Sequence, residues 1–219
     1  MKLLKFVIKG VAALLIPLSL VFLGLRLLLS SGFLSLEYRM PGFPNDQFGF
    51  TRRERLHYSN ISLNFLLNND DIDSLSIQTL PNGSPLFNDR ELSHLLDVKN
   101  VVKPSLVVGY NSWLLLGIIA FVSILAKLKN QLIDGIRLGA WLMLGIIGSI
   151  GLFALISFWN FFSIFHSLFF EGESWIFSYS DTLIRLFPLR FWQDAFLIVG
   201  LITIGGSLII LFAIKPVRD

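Results

Sequence analysis

Four stretches of this chain, Phe6 to Leu29, Ser105 to Ala126, Leu138 to Trp159 and Ala195 to Ile214, are each about twenty residues long and almost wholly apolar. The hydrocarbon core of a bilayer is ~30 Å thick and takes about 20 apolar residues to cross as a helix. Lys9 and Arg26, both in the first stretch, are the only charges in all four. A helix on the surface of a soluble core is apolar along one stripe, whereas these runs are apolar on every side. Composition agrees, since 15% of the 219 residues are charged, against about 25% in soluble domains. The fold class that follows is all-α membrane: a four-span transmembrane helical bundle, forming a single membrane domain over residues 1–219.

The first run follows Lys2 and Lys5 and so also has the outline of a signal peptide. The apolar region of a signal peptide is about 7–15 residues long and ends at a small-residue cleavage site. Here the run exceeds twenty residues, and it is expected to remain as an anchor. Positive charge is retained on the cytoplasmic side of a membrane. Residues 1–10, 127–137 and 215–219 hold eight basic residues, Arg218 among them, and two acidic ones, while the rest of the chain holds ten basic and thirteen acidic. Both termini are therefore expected in the cytoplasm, with outer loops at 31–104 and 160–194. The net charge of +3 belongs to the cytoplasmic rim and gives no reason to expect nucleic acid as a partner.

The first outer loop predicts a small mixed extracytoplasmic subdomain. Leu75 to Phe87 reads as a short β-hairpin around a Pro81-Asn82-Gly83 turn. From Asn88 an amphipathic helix begins, with Asn88 and Glu91 spaced as a capping box. Pro104 is expected to mark its boundary with the second span.

That helix carries the first candidate chemistry. Arg90, Glu91, His94 and Asp97 are three or four residues apart and fall on one face. Asp97 is spaced to accept a proton from the His94 ring and fix its tautomer. The plain alternative is an ordinary solvated face. The second candidate is His166, which follows the third span among Phe162, Phe165, Phe169 and Phe170. Aromatic residues gather at membrane interfaces without any catalytic reason, but an imidazole there needs a cavity or a partner. Burial holds such a ring neutral, which suits a base; an interfacial histidine bonded to a carbonyl is the plain alternative. His57, beside Arg52, Arg53, Glu54 and Arg55, reads as a surface residue. The chain has no cysteine, which removes thiol nucleophiles and cysteine-ligated metals. One Glu-x-x-His pair, Glu91 and His94, falls short of a di-iron bundle's two, so no metal and no cofactor is expected. Ser93 and Ser167 adjoin the histidines, but neither lies in a Gly-x-Ser-x-Gly elbow.

The segments Glu91-Leu-Ser-His94-Leu-Leu-Asp97-Val-Lys99 and Phe165-His166-Ser-Leu-Phe169-Phe170, followed by Trp175 and Asp181-Thr-Leu-Ile-Arg-Leu-Phe187-Pro188, resemble the lipoprotein intramolecular transacylase family, called Lit. The likeness covers the whole chain: four spans, a large first outer loop, and one histidine motif on each side of the central hairpin of spans. It departs at Glu171-Gly172-Glu173-Ser174, where a more amide-rich turn is expected. The resemblance implies a bacterial membrane enzyme with its active site at the extracytoplasmic face. It implies a diacylated bacterial lipoprotein as substrate, met among membrane lipids. The implied reaction moves the sn-2 acyl chain from the glycerol onto the α-amine of the lipoprotein's own N-terminal Cys, giving the lyso-form. It also implies that His94 and His166 are catalytic, with Asp97, Glu91, Lys99 and Trp175 supporting them, and Arg90, on the His94 face of the helix, is a further supporting candidate.

An O-to-N acyl shift needs a base for the amine proton and an acid for the departing glycerol oxygen, and two histidines can divide those tasks. His94 oriented by Asp97 is the expected base, with the reverse assignment open. Amine and ester belong to one molecule, so proximity supplies much of the rate. Arg26, Arg90 or backbone amides are candidates to stabilise the oxyanion, and Phe162, Phe165 and Phe169 are candidates to line acyl-chain slots. Two other classes fit the residues: a different membrane lipid acyltransferase or lipase using the same histidines, and a non-enzymatic assembly or sensor protein.

Overall fold

The computed structural model describes residues 1–216, so Arg218 lies outside the described residues. Among them the ordered elements are helices: α1 (Lys2–Leu28), α2 (Ser31–Glu37), α3 (Arg52–Leu67), α4 (Asp73–Ser76), α5 (Asp89–Leu125), α6 (Lys129–Ile156), α7 (Phe158–Ser167), α8 (Thr182–Leu186) and α9 (Leu189–Ala213). Four of these, α1, α5, α6 and α9, are long and apolar enough to cross a membrane, with mean hydropathies of 2.4, 1.9, 2.1 and 2.6. The chain is thus an all-helical, multi-pass membrane protein. It divides into two compact units. One comprises Met1–Arg26, Ser105–Ser157 and the chain from Leu197 onward; the other comprises Leu27–Pro104 and Phe158–Phe196.

In the first unit α1 is the most enclosed helix, with 44% of its apolar window buried against 17% in each of the other three. In lipid there is no hydrophobic drive to bring helices together, so close backbone approach through small residues takes its place. Gly135 and Gly139 of α6 lie so near α1 that a Cβ on them would stand 2.5 Å from the Lys9 carbonyl oxygen and 2.7 Å from that of Ala13. Gly109 of α5 accommodates the Phe22 ring, and Gly206 of α9 accommodates Leu20. The Ser19 and Ser112 hydroxyls, 3.2 Å apart, join α1 to α5. Arg137 on α6 donates to the Leu211 carbonyl at 2.8 Å and to that of Ile214, satisfying orphan acceptors at the end of α9.

The second unit is built on Tyr58, Phe65, Leu75, Leu86, Phe87, Leu95, Leu183 and Leu186, all buried. Helix α3 starts in a complete capping box, with the Thr51 hydroxyl accepting from Glu54 N and Glu54 accepting from Thr51 N. The box expected at Asn88 and Glu91 is also formed, at 3.0 and 2.8 Å. Pro104 lies inside α5 rather than at its end, as neighbouring contacts in membrane helices permit.

The expected β-hairpin at 75–87 is not formed, and no strand occurs among the described residues. What remains is one antiparallel bridge, Thr79 with Pro85, flanked by Leu80 N to Ser84 O and Leu86 N to Gln78 O, both 2.8 Å. Two physical causes act together. The first residues of the expected hairpin, Leu75 and Ser76, belong to α4, which sinks Leu75 to 1% exposure. Pro85 has no N–H to extend a ladder. The subdomain is therefore helical and not mixed.

Candidate active site

His166 sits on the last turn of α7 and is buried. Its Nδ1 is 2.8 Å from the Phe162 carbonyl oxygen, one turn back. A carbonyl only accepts, so this contact puts the proton on Nδ1 and leaves Nε2 as a bare lone pair. The ring is packed by Phe162 at 4.0 Å and Trp175 at 4.5 Å between centroids. Phe165 and Phe170 lie at 5.7 Å each.

His94 sits on the second turn of α5, ahead of the apolar run that begins at Ser105. Its ring lies 4.9 Å from Phe170 and 5.3 Å from Phe177. Its Nδ1 is buried, with no hydrogen-bond partner among the described residues. Phe170 therefore touches both imidazoles, and the two histidines share one aromatic chamber in the second unit. Burial pulls the pKa of His94 down to about 4, with the neighbouring His166 as a smaller cause. Burial also lowers that of His166, opposed by its hydrogen bond to Phe162. Both rings are neutral at physiological pH.

The segment that closes over His94 is tied to α5. Gly172, at a φ of +57° that favours glycine, turns the chain after Phe170. Arg90 then donates to the Glu173 carbonyl at 2.6 Å, and its guanidinium lies 5.6 Å from the centre of the Phe177 ring. Ser174, between these anchors, has a buried hydroxyl without a partner among the described residues.

The other expected site residues separate by place. Trp175 and Phe162 are at His166. Phe165 stands 5.1 Å from Phe169, and Phe169 is 46% exposed. Asp97 makes no hydrogen bond to His94 among the described residues, because the His94 ring is taken up by Phe170 and Phe177. Glu91 is 2% exposed and touches neither imidazole: it accepts from Asn88 N at 2.8 Å and from Leu183 N at 2.7 Å, joining the starts of α5 and α8. Burial raises its pKa in spite of those bonds. Lys99 donates to the Asp70 carbonyl and lies 3.9 Å from the Phe65 ring centre. Lys103 donates to the Leu67 carbonyl at 2.8 Å, in the last turn of α3. His57 is exposed. Ser93 is exposed too, and Ser167 donates back to Ile164 O.

Two features were not singled out from the sequence. Phe177 carries no motif of its own. Glu37, on α2, is fully buried with both carboxylate oxygens lacking a hydrogen-bond partner among the described residues. Its pKa is raised by burial first and by the charge of Asp194 second. Asp194 itself is held by Arg190 at 2.5 Å.

The model of the family described as lipoprotein intramolecular transacylase Lit matches residues 11–192. An uncharacterized protein of Aquifex aeolicus (strain VF5) is 31% identical over 193 residues, 87% of this chain and 85% of its own length. The crystal structure of the membrane-integral lipoprotein intramolecular transacylase Lit of Bacillus cereus superposes with a TM-score of 0.80, covering 96% of this chain and 94% of that one at 22% identity. A variant of that protein with one histidine changed to alanine superposes with a TM-score of 0.70 at the same identity, covering 94% of this chain and 90% of its own.

Proposed function

Because the chain belongs to the family of the lipoprotein intramolecular transacylase Lit, we propose that it moves the sn-2 acyl chain of a diacylated lipoprotein onto the α-amine of that lipoprotein's own N-terminal Cys. The observation that carries the reading is the pair of neutral histidines in one aromatic chamber, one of them locked in a single tautomer. His166, with Nδ1–H spent on Phe162, offers Nε2 as the base that takes the amine proton while nitrogen attacks the ester carbonyl. His94 has Nδ1 sealed beneath the aromatic rings, so its Nε2–H is the donor left to face the carbonyl or glycerol oxygen. A neutral imidazole kept so by burial polarises a carbonyl in this way. When the tetrahedral intermediate collapses, the C–O bond to glycerol breaks and the proton held by His166 passes to the glycerol oxygen. One proton leaves nitrogen and one arrives on oxygen, so no net charge enters the site. This assignment moves the base from His94, where helix spacing put it, to His166, since Asp97 does not orient His94.

The surrounding residues then have distinct tasks. Trp175 and Phe162 hold the His166 ring, and Arg90 holds the segment that covers His94. Phe165 and the exposed Phe169 line the approach of an acyl chain. The loop charges favour both termini in the cytoplasm and the histidine chamber on the extracytoplasmic side of a bacterial membrane.

The test is tandem mass spectrometry of the N-terminal lipopeptide of one diacylated lipoprotein, co-expressed with this protein. The transfer leaves the total mass unchanged, so the fragments decide. An N-acyl fragment is expected with the wild type and lost with His94→Ala or His166→Ala. A free amine throughout would refute the reading, and loss of one acyl mass would replace it with a lipase.

A further inference from the structure

Away from the histidines, in the same unit, the chain leaving α2 folds over the start of α3 and encloses a polar cavity of about 280 Å3. Tyr38, Arg39, Phe43, Asp46, Arg52 and Arg55 are among its lining residues. Its charges do not cancel. Asp46 is already committed: Arg185 pairs with it at 2.9 Å, both side chains being shielded, and Phe50 N donates to it at 2.6 Å. Glu54, in the first turn of α3, is consumed by the capping box. Arg39, Arg52 and Arg55 belong to no ion pair among the described residues, which leaves three guanidinium groups on one cavity.

Arg55 is the unusual one. It is 4% exposed, with its guanidinium carbon 5.0 Å from the Tyr38 ring centre and 4.8 Å from that of Phe43. Nη1 donates to the Pro44 carbonyl at 2.7 Å, and Nε is buried with no acceptor among the described residues. Asp46 acts on it at a distance, but Arg185 already pairs with that charge, and a buried cation with an unmet donor and so little compensation is costly, a cost that an anion removes. Burial also lowers its pKa, opposed by the nearby Tyr38 and Asp46. An arginine fork braced by rings matches the oxygens of a phosphate better than an ammonium does. Arg39 and Arg52, both exposed, line the same cavity.

We propose that this cavity is a phosphate-binding site, seated on Arg55 and closed by Arg39 and Arg52, that holds the headgroup of a membrane phospholipid. The shared chemistry is a tetrahedral oxyanion; a lipid is the source because a chain with four spans is embedded in it.

The purified full-length protein, in maltoside detergent without phosphate, is titrated calorimetrically with dihexanoyl phosphatidylglycerol, inorganic phosphate and dihexanoylglycerol. The lipid is expected to bind saturably, and at least about tenfold more tightly than phosphate, while dihexanoylglycerol does not bind. The double variant Arg39→Gln, Arg52→Gln changes exposed side chains only, and is expected to weaken lipid binding by about tenfold or more at unchanged thermal unfolding. Arg55→Lys, which keeps the charge and loses the fork, is expected to weaken it as well. Phosphate binding as tightly as the lipid would overturn the headgroup assignment. No saturable binding of either phosphate probe, or undiminished binding in the double variant, would overturn the site.

Discussion

Replacing Glu91 by Gln exchanges one oxygen of a buried carboxylate for an NH2 group and separates a structural role from a chemical one. The Glu91 oxygens accept backbone N–H groups at the starts of both helices, one oxygen from Asn88 at 2.8 Å and the other from Leu183 at 2.7 Å. An amide keeps one acceptor and turns a donor toward the other N–H. The lost bond is charge-assisted and worth about 1.5–3 kcal/mol, and stranding a buried N–H costs about 1–3 kcal/mol more. Against this, burial raises the pKa of Glu91, so the carboxylate carries a desolvation cost that the amide avoids. The net loss expected is about 2 kcal/mol. For a chain of this size, about 2–4 °C is lost per kcal/mol, so thermal unfolding in detergent should fall by about 4–8 °C. The transfer rate should fall with it, while the shape of the pH–rate profile stays that of the wild type, since Glu91 touches neither imidazole. Unchanged stability with a hundredfold loss of rate would refute this, and would place Glu91 in the chemistry. Unchanged stability and unchanged rate would show that the link between α5 and α8 contributes nothing.

The pH–rate profile tests the lowered histidine pKa values. A free α-amine titrates at about 7.7–8.0, so the rate should rise tenfold per pH unit up to that range, with no second limb at the ordinary histidine value of about 6.5, because burial lowers both imidazoles. A slope of two already between pH 6.5 and 7.5 would contradict it. Glu37→Gln tests the buried carboxyl. Its folded pKa lies above its unfolded 4.5, so its contribution is fully present below pH 4.5 and is lost as pH rises through the folded value. The variant should unfold at a higher temperature than the wild type at pH 8 and lose that advantage at pH 5; a larger deficit at pH 8 would reverse the sign. In the first unit, Gly139→Leu should destabilise by about 1–3 kcal/mol or more, because its Cβ would stand 2.7 Å from the Ala13 carbonyl oxygen. Gly145→Ala, with nothing within 4 Å of a new Cβ, should be neutral or stabilising by up to about 1 kcal/mol. Equal unfolding temperatures for Gly139→Leu and wild type would remove the α1–α6 contact as a source of stability.

What the sequence determined by itself is what short-range chemistry decides. Twenty apolar residues in a row leave a backbone one way to satisfy its hydrogen bonds in lipid, so the four spans were legible. The capping box at Asn88 and Glu91 is complete within four residues, and it formed as read. The two histidines were legible as residue types whose chemistry suits an acyl shift. Tertiary structure alone decided what they touch. His94 was expected to lean on Asp97, three residues away; instead its ring lies against Phe170 and Phe177, which reach it from a distant part of the chain. Glu91 was grouped with the histidines by helical spacing, yet its second oxygen holds Leu183 N, 92 residues on. Gln78 to Leu86 carried the turn of a hairpin but kept a single bridge, because the burial of Leu75 beside Leu86 and Phe87 outweighs the pairing of two strands a few residues long. Spacing along a helix tells which side chains are neighbours on its surface. Which of them are buried, and against what, depends on the elements that pack there, and no local pattern encodes that.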